Sequence, residues 1–524
     1  MSDGFRGDAR ALNVAPPFHM PTSAVPRLIS VPAASLPVLT EVDVAVIGAG
    51  TAGFVAAIGA ARTGAKTALI ESNGYIGGAN TATYNTGPGW TGDSTKAQII
   101  GGPGWEFLER MEREGHAIIN RDTKRAQIFP EATKQVALEM VVEAGVELFL
   151  HTWAGEVLME GSTIRGLVVQ SKSGRQVVLA KAFVDCSADG DIAAQAGAPF
   201  ERLEPNDPKN WEVSIDLTVC NIDPVRVIRW ARANRHLLSD GGKTVPEDDD
   251  CVGIKPGVAI NIRNNATIPH SPKKFGKIGR ELRGHEHVGT QPTLKLMIHR
   301  STTRVQGNVA IDPTDVRQLT WAEVEGRRQA YRHLEYLKKT IDGMQDAFII
   351  AQNPLGVRVA RRIRGEYYIT IDDLVENHRA PDVVSLNARS LDMHMPGERF
   401  QIHFLEGNHD VPYRALMPLN VENLLTAGRC ISCDQTSHAS LRGAATCWGT
   451  GHAAGTAAAL AARNGGRTRD VNIRELQKTL LQQGAILTTE NRRFDQEVFP
   501  EYQRVATGDT PAYAGPAANA DRGA

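Results

Sequence analysis

Short hydrophobic runs rich in β-branched residues alternate with longer alanine- or leucine-rich stretches along much of the chain. The clearest run, 42–47, reads Val-Asp-Val-Ala-Val-Ile and ends at a glycine, and a second run covers 67–70. Runs of this length bounded by glycine are typical of buried strands, and the stretches between them have the length of helices. This alternation predicts an α/β fold.

Further segments continue the alternation. We predict a strand meander through 146–150, 155–158 and 164–169, and a strand that returns to the same sheet at 421–430. We predict helices at 224–236, 321–351 and 444–463, of which the last consists mainly of small residues.

Three glycines follow the first strand in the spacing G-x-G-x-x-G. Gly48, Gly50 and Gly53 lead directly into an alanine-rich helix. In such a turn the glycines permit a tight bend and a close approach of the backbone to a pyrophosphate, which the N-terminus of the helix faces. Glu71 ends the second strand, where a carboxylate can accept a hydrogen bond from a ribose hydroxyl. Strand, turn, helix, strand and acid in this order predict a dinucleotide site.

The residues after Glu71 narrow the choice of dinucleotide. Ser72 and Asn73 follow it, and no arginine stands there to bind a 2′-phosphate. The site therefore favours an adenosine with a free 2′-hydroxyl over NADP. FAD and NAD both stay open at this point.

A second glycine pair, Gly77-Gly78, follows and leads into small polar residues. From here the sequence resembles the FAD-dependent oxidoreductases of the two-dinucleotide-binding-domain type, which are related at a distance to fumarate reductase and succinate dehydrogenase flavoproteins. The resemblance implies that FAD is the cofactor. It also implies that the second glycine pair contacts the pyrophosphate and the edge of the flavin.

Three later segments extend the resemblance. Segment 183–191 looks like the family's late strand near the nucleotide. Segment 356–367 is similar to one that usually reads Arg-Glu-Ser-Arg-Arg-Ile-x-Gly, although Val359 and Ala360 replace its Glu and Ser. The longest match, 402–462, ends in a helix whose N-terminus would face the flavin pyrimidine and favour the electron-rich reduced ring.

The predicted cofactor-binding residues come from the two glycine-rich turns, the strand ends beside them and the returning segment. They are Gly48, Ala49, Gly50, Thr51, Ala52, Gly53, Glu71, Ser72, Gly77, Gly78, Ala79, Thr81, Ala154, Ala188, Asp189, Gly428, Arg429, Ala444 and Ala445. We predict no metal, because the histidine spacings typical of metal sites are missing and the pattern Cys430-x-x-Cys433 has no second pair. Redox activity of that cysteine pair is a weaker hypothesis than simple burial.

Composition agrees with a two-domain enzyme. The chain has 524 residues, of which 42% are hydrophobic and 22% charged, and its formal net charge is −1. That charge supplies no basic field for nucleic acid, and no apolar run approaches the ~18 residues of a membrane helix. No hydrophobic core of a secretion signal follows the first residues, so we expect a cytoplasmic protein, with a homo-oligomer as an open possibility.

We therefore predict a Rossmann-like FAD-binding domain that is split by a substrate-cap insertion. Residues 191–350 differ in character from the segments on either side and form the expected cap. The predicted divisions are an N-terminal extension at 1–40, the first part of the FAD-binding domain at 41–190, the cap at 191–350, the second part with substrate-site residues at 351–490, and a tail without periodicity at 491–524.

Flavin chemistry needs side chains besides the cofactor. Hydride transfer between a substrate carbon and flavin N5 requires a group that takes or gives the accompanying proton, and a fixed cation often anchors the substrate. Histidines and arginines are dense between 378 and 442, and the density of guanidinium groups favours an anionic, carboxylate-bearing substrate. The predicted catalytic or substrate-binding residues are His438, Arg442, His378, Arg414 and His403. On a helix, His438 and Arg442 would project from one face.

The sequence thus predicts an FAD-dependent oxidoreductase that dehydrogenates or reduces a small carboxylate-bearing molecule at carbon. One alternative is an FAD oxidase or hydroxylase that returns electrons to oxygen. Another is a flavin-binding electron-transfer subunit with a protein partner, although no ferredoxin-type cysteine run supports a self-contained electron relay. The electron acceptor stays open.

Overall fold

The computed structural model describes residues 28–83, 87–89, 91–203, 211, 213–237, 258–259, 277–278, 297–299, 311–394 and 400–489. The predictions for the tail at 491–524 and for most of the N-terminal extension lie outside these residues. The helices are α1 Gly53–Arg62, α2 Gly102–Arg113, α3 Pro130–Glu143, α4 Asp191–Gln195, α5 Pro224–Ala233, α6 Val316–Thr340, α7 Ile371–Val375, α8 Gln435–Leu441, α9 Ala444–Arg463 and α10 Ile473–Gln482.

Twenty strands accompany these helices in the described part of the chain. The first ten are β1 Val38–Ile47, β2 Thr67–Ile70, β3 Ala117–Ile119, β4 Ala126–Ile128, β5 Glu147–Phe149, β6 Trp153–Glu160, β7 Thr163–Ser171, β8 Gly174–Asp185, β9 Phe200–Glu201 and β10 Leu217–Cys220. The others are β11 Val258–Ala259, β12 Lys277–Ile278, β13 Met297–His299, β14 Phe348–Gln352, β15 Arg362–Ile363, β16 Val383–Asn387, β17 Leu391–His394, β18 Phe400–His403, β19 His409–Pro412 and β20 Leu424–Thr426.

A seven-stranded sheet positions the candidate site. Its order is β5-β2-β1-β8-β7-β6, and β20 pairs with the end of β8 on the edge opposite β1. The pairs β1–β2, β1–β8, β2–β5 and β8–β20 are parallel, so the carboxyl ends of β1, β2, β8 and β20 meet at one edge. Ligands of α/β sheets bind at such an edge. The predicted α/β fold with a Rossmann-like sheet is confirmed.

The described residues separate into two compact units. One lies mainly within 204–358, and the other comprises 32–81, 85–203 and 359 onwards. In the first unit, β10 lies between β13 and β14 in a five-stranded antiparallel sheet, and its core includes Val219, Leu334 and Leu337. A substrate-cap role for the segment predicted at 191–350 stays a prediction.

Three sequence predictions of secondary structure need correction. The helix predicted at 321–351 is Val316–Thr340, and the chain then turns into the strand Phe348–Gln352. The segment 146–150 is not part of the meander, because β5 pairs in parallel with β2 while β6, β7 and β8 form the antiparallel meander. The returning strand is shorter than 421–430, since only Leu424–Thr426 pairs with β8. Helix 444–463 is confirmed.

The helices found among the described residues include none that is both long enough and apolar enough to cross a membrane.

Helix α9 contains a fully buried histidine that makes stability depend on pH. His452 is 2% exposed, its Nε2 lies 2.8 Å from Oε1 of Gln483, and burial lowers its pKa from 6.5 to about 4. The folded protein therefore keeps this ring neutral at pH values where the unfolded chain protonates it. His409, which is also buried, has its pKa lowered by burial to about 3.

We expect the free energy of unfolding to fall as the pH is lowered from 6.5 to 4, because the unfolded state then binds more protons than the folded state. His452 alone contributes up to about 3 kcal/mol to this loss. In chemical denaturation at a series of pH values, His452→Gln should make the dependence shallower, whereas His403→Gln, at an exposed position, should leave it unchanged. An unchanged slope in His452→Gln would contradict the assignment.

Candidate active site

The first glycine-rich turn joins β1 to α1 and is tightly packed. Gly48 has a φ of +88°, and a Cβ atom there would lie 2.5 Å from the carbonyl oxygen of Cys186. A Cβ atom on Gly53 would lie 1.7 Å from the carbonyl oxygen of Gly48. Glycine is therefore required at both positions by the protein's own backbone. In the first turn of α1 the N–H of Phe54 donates to the carbonyl of Gly50 at 3.3 Å. The positive end of the helix dipole at this turn favours an anion.

Gly50 differs from its two neighbours in the motif. A Cβ atom on Gly50 would have Gly78 Cα, at 3.8 Å, as its nearest neighbour, which is an ordinary contact. The fold of the protein thus does not require glycine here. A ligand that passes close to the backbone at this point would require it.

The second glycine pair lies directly against this turn. Gly77 and Gly78 have φ values of +106° and +56°, and a Cβ atom on Gly78 would lie 2.8 Å from both Gly50 Cα and the backbone nitrogen of Thr51. The N–H of Gly77 donates to the carbonyl of Ala49 at 2.9 Å. The structure therefore brings the two predicted phosphate-binding turns together.

The residues after the glycine pair stabilise its turn. Ala79 lies in a single turn of 3-10 helix, Gly78–Asn80. Thr81 is fully buried, and its hydroxyl lies 3.0 Å from the carbonyls of both Ile76 and Gly78. The side chain of Thr81 thus supports the turn.

Glu71 connects the end of β2 to the first turn. One carboxylate oxygen accepts from the N–H of Ala49 at 2.8 Å, and the other accepts from the backbone N–H and side-chain amide of Asn73 and from the hydroxyl of Ser72. Its backbone N–H and carbonyl bond to Phe149 and Thr152. These contacts place the β5–β6 connection beside Glu71, with Ala154 two residues further on in β6. A carboxylate held in this way can accept from a ribose hydroxyl with its remaining lone pairs.

The carboxyl end of β8 contributes a second group of candidates. Ala188 has a φ of +73°, and Asp189 lies 2.6 Å from Nη2 of Arg429. Burial raises the pKa of Asp189, and the Arg429 guanidinium opposes that shift. Gly428, with a φ of +84°, lies against Ala52 of the first turn, since an added Cβ would lie 3.1 Å from the Ala52 methyl group.

Helix α9 begins at the same place. Its N-cap is Gly443, and Ala444 and Ala445 form its first turn, in which the N–H of Ala445 donates to the carbonyl of Pro88 at 2.9 Å. Cys447 Sγ would lie 3.8 Å from a Cβ atom on Gly428. The N-terminus of α9 therefore adjoins the Gly428 turn and, through it, the first glycine-rich turn.

Close packing explains the glycines within α9. A Cβ atom on Gly451 would lie 2.2 Å from the carbonyl oxygen of Ala52, and one on Gly455 would lie 1.9 Å from that of Ala56. The stretch 449–454 has the spacing G-x-G-x-x-A, which imitates a nicotinamide-binding fingerprint. Its first part instead packs α9 against the start of α1.

Three arginines surround the first turn of α9, and we call Arg389, Arg429 and Arg442 the arginine group. Burial raises the pKa of Cys447 to about 11, while all three guanidinium groups act in the opposite direction and are therefore within electrostatic reach of its thiol. Arg442 donates to the backbone carbonyl of Asp392 at 2.8 Å and lies 3.2 Å from its carboxylate, and Arg389 bonds the same carboxylate.

A comparison with protein families decides the identity of this fold. The model of the FAD dependent oxidoreductase family matches residues 43–480, which contain both glycine-rich turns, Glu71 and the arginine group. The chain belongs to the FAD-dependent oxidoreductase family. FAD is its cofactor, and the protein is an enzyme. The match does not confirm the more distant relation to fumarate reductase and succinate dehydrogenase flavoproteins.

Solved structures show wide but weak similarity to this flavoenzyme. A geranylgeranyl bacteriochlorophyll reductase-like protein from Thermoplasma acidophilum aligns over 90% of this chain and 97% of its own, with 12% identity and a TM-score of 0.37. The p-nitrophenol 4-monooxygenase PnpA from Pseudomonas putida DLL-E4 aligns over 90% and 91%, with 11% identity and a TM-score of 0.38. We infer no substrate from them. Curated proteins provide no match.

The residues of the flavoenzyme fit FAD at the dinucleotide end. Gly50 leaves space that only a ligand would need, the glycine pair faces it, and Glu71 ends the second strand. These features match the requirements of a pyrophosphate and a ribose.

The predicted catalytic residues fall into separate places. His438 lies in α8 with 1% exposure, and its Nδ1 is 3.9 Å from Sγ of Cys433. His378 stacks on Tyr367 with ring centroids 6.0 Å apart, and Arg414 lies over the same ring at 5.8 Å.

Carboxylates lie beside two of these residues. His378 lies 3.9 Å from Asp373, and Arg414 lies 3.1 Å from Asp382. His403 is exposed at the end of β18. The structure thus brings His378 and Arg414 together at Tyr367, and it keeps Arg442 at the N-terminus of α9.

Sequence reasoning missed Arg389 and Asp392. The available signal was a basic residue two positions after the buried strand β16, inside the segment already rich in histidine and arginine.

Cys430 and Cys433 are both buried free thiols whose pKa values burial raises, so neither is a thiolate at neutral pH. The described residues hold no group of His, Cys, Asp and Glu suited to a metal ion.

We expect Gly50→Ala to weaken FAD binding by about tenfold or more, because its Cβ fits the protein but not a pyrophosphate at this turn. Gly155→Ala is a matched control, since its Cβ makes an ordinary contact 3.4 Å from Val168. Both variants should unfold at the wild-type temperature without cofactor. FAD titration of the apoproteins would contradict the site if Gly50→Ala bound as tightly as the control.

Proposed function

We propose that the enzyme moves a hydride between FAD and a small, carboxylate-bearing substrate, and that the arginine group binds the carboxylate. The observation that supports this proposal is the excess of positive charge at the N-terminus of α9. Three guanidinium groups meet two carboxylates there, those of Asp189 and Asp392. Among these five side chains one positive charge is in excess, and the positive end of the helix dipole adds to it.

The geometry of the arginines suits a planar anion. Arg442 and Arg389 come from different segments but share one carboxylate, so their guanidinium groups are held close together before any ligand binds. Arginine binds carboxylates through two parallel N–H groups, and groups that are already oriented lose less entropy on binding. In this proposal Arg442 and Arg389 bind and orient the substrate.

In this proposal the cofactor is held by the two glycine-rich turns and not by the arginine group. Residues of the two glycine-rich turns and Glu71 would hold the pyrophosphate and ribose, and Gly428 and the first turn of α9 would adjoin the flavin. Bound FAD supplies a hydride acceptor in substrate oxidation or a hydride donor in substrate reduction. The protein must therefore supply the proton transfer.

His438 is our hypothesis for proton transfer. It lies one helical turn before Arg442, whose N–H donates to the carbonyl of His438 at 3.1 Å. This spacing places both residues at the end of α8 that leads into α9. The burial of the ring weighs against direct contact with a substrate, so the role requires a kinetic test.

We expect Arg442→Lys to raise the KM for a carboxylate substrate about tenfold or more with little change in kcat, because one ammonium cannot replace a planar fork. Anaerobic bleaching of bound FAD with a library of carboxylates and alcohols would identify the substrate first. Arg110→Lys is the matched control, since Arg110 pairs with a single carboxylate on the surface of α2. Bleaching by neutral alcohols alone, or an unchanged KM in Arg442→Lys, would contradict the proposal.

We expect His438→Ala to lower kcat roughly 10²-fold or more while FAD stays bound, as for removal of a general acid or base. His452→Ala is the control, because it removes another buried imidazole from the same half of the chain. Both changes should lower thermal stability, but only the first should change turnover. If both variants lost the same small fraction of activity, His438 would have no role in proton transfer.

A further inference from the structure

A chain of buried hydrogen bonds connects β16 and β19 to the two helices at the candidate active site. Its centre is Asn387, the last residue of β16, which is 1% exposed. Its side-chain nitrogen lies 2.9 Å from Nε2 of His409, directly opposite in β19, and 2.7 Å from Oγ of Ser440 in α8. Its oxygen accepts from the hydroxyl of Thr446 in the first turn of α9. All four side chains are nearly completely buried.

The directions of these hydrogen bonds follow from the backbone carbonyl of Arg389, which can only accept. The hydroxyl of Ser440 donates to the backbone carbonyl of Arg389, so it has no second proton and must accept from Asn387. Asn387 therefore presents its nitrogen to Ser440 and to His409, and its oxygen to Thr446. His409 must offer an unprotonated Nε2, which agrees with its lowered pKa.

Residues of α8 and the N-cap of α9 also contact Arg389. Its backbone carbonyl is held by Ser440, and its side chain donates to the carbonyl of Ala439 at 3.1 Å. A Cβ atom on Gly443 would lie 2.6 Å from Cδ of Arg389, so this side chain lies over the N-cap of α9.

We propose that Asn387 is a positioning residue which holds Arg389 and the first turn of α9 in the arrangement that binds an anion. Its contacts tie the strand end before Arg389 to both α8 and α9. The inference rests on the proposed function for the nature of the ligand. The ordering of Arg389 can be measured without any ligand.

The test compares two pairs of variants in the FAD-loaded protein. Asn387→Leu removes all the contacts, and Asn423→Leu removes a buried asparagine of similar connectivity that bonds only to the backbone at Ile164 and Lys181. Ser440→Ala removes one hydroxyl and with it the link from Asn387 to the backbone carbonyl of Arg389, while Asn387 keeps its contacts with His409 and Thr446. Ser437→Ala removes another buried hydroxyl of α8, for which the described structure contains no hydrogen-bond partner.

Two measurements report on the result. The first is the rate at which phenylglyoxal modifies Arg389, measured by mass spectrometry with Arg165, whose side chain is 63% exposed, as the internal reference. We expect Asn387→Leu and Ser440→Ala to raise it about fivefold or more, because a side chain freed from a packed network opens more often. The second is the affinity for benzoate, followed through the visible absorbance of bound FAD, which should fall about tenfold as preorganisation is lost.

The outcomes separate this inference from the proposed function. Unchanged modification of Arg389 in folded Ser440→Ala and Asn387→Leu, or an equal rise in the two controls, would overturn the positioning role. If the wild-type protein failed to bind benzoate or any other carboxylate while Arg389 became more reactive in the two test variants, the positioning role would stand and the carboxylate proposal would fail.

Discussion

The close approach of α9 to α1 is the constraint on which the candidate site depends. The carbonyl oxygens of Ala52 and Ala56 occupy the space that Cβ atoms on Gly451 and Gly455 of α9 would need. Because these backbones touch, the N-terminus of a helix near the end of the chain lies beside a turn near its beginning. A larger residue at either glycine would separate the two halves of the site.

The parts of the fold that the sequence predicts are those determined locally. Gly48 and Gly53 are needed because backbone atoms a few residues away fill the space of a side chain, and a strand of β-branched residues is visible over six positions. Helix α9 was predicted to the residue, since small side chains occupy most of its positions and neither proline nor a turn sequence interrupts it. The helix predicted at 321–351 was too long because the turn after Thr340 has no strong breaker beyond a single glycine.

The arginine group could not be predicted in the same way. Arg389, Arg429 and Arg442 come from three segments, and the contacts that bring Arg389 and Arg442 together run through Asp392, which both guanidinium groups contact. A single sequence shows that each arginine exists, but it does not show which carboxylate each one contacts. Arg414 and His378 illustrate this limit, because the structure places both around Tyr367 and beside Asp382 and Asp373, which the sequence does not show; their catalytic role stays a prediction.

The carboxylate of Asp392 has a consequence for selectivity. It already occupies the space between Arg389 and Arg442, so it is an internal competitor for any anion that arrives from solution. An external ligand gains affinity only by the difference between its own hydrogen bonds and those that Asp392 gives up. Spherical ions such as chloride, which cannot match a pair of guanidinium groups, gain little in this exchange. In the proposed carboxylate site, the internal carboxylate would thus set a threshold that favours planar carboxylates over abundant spherical ions.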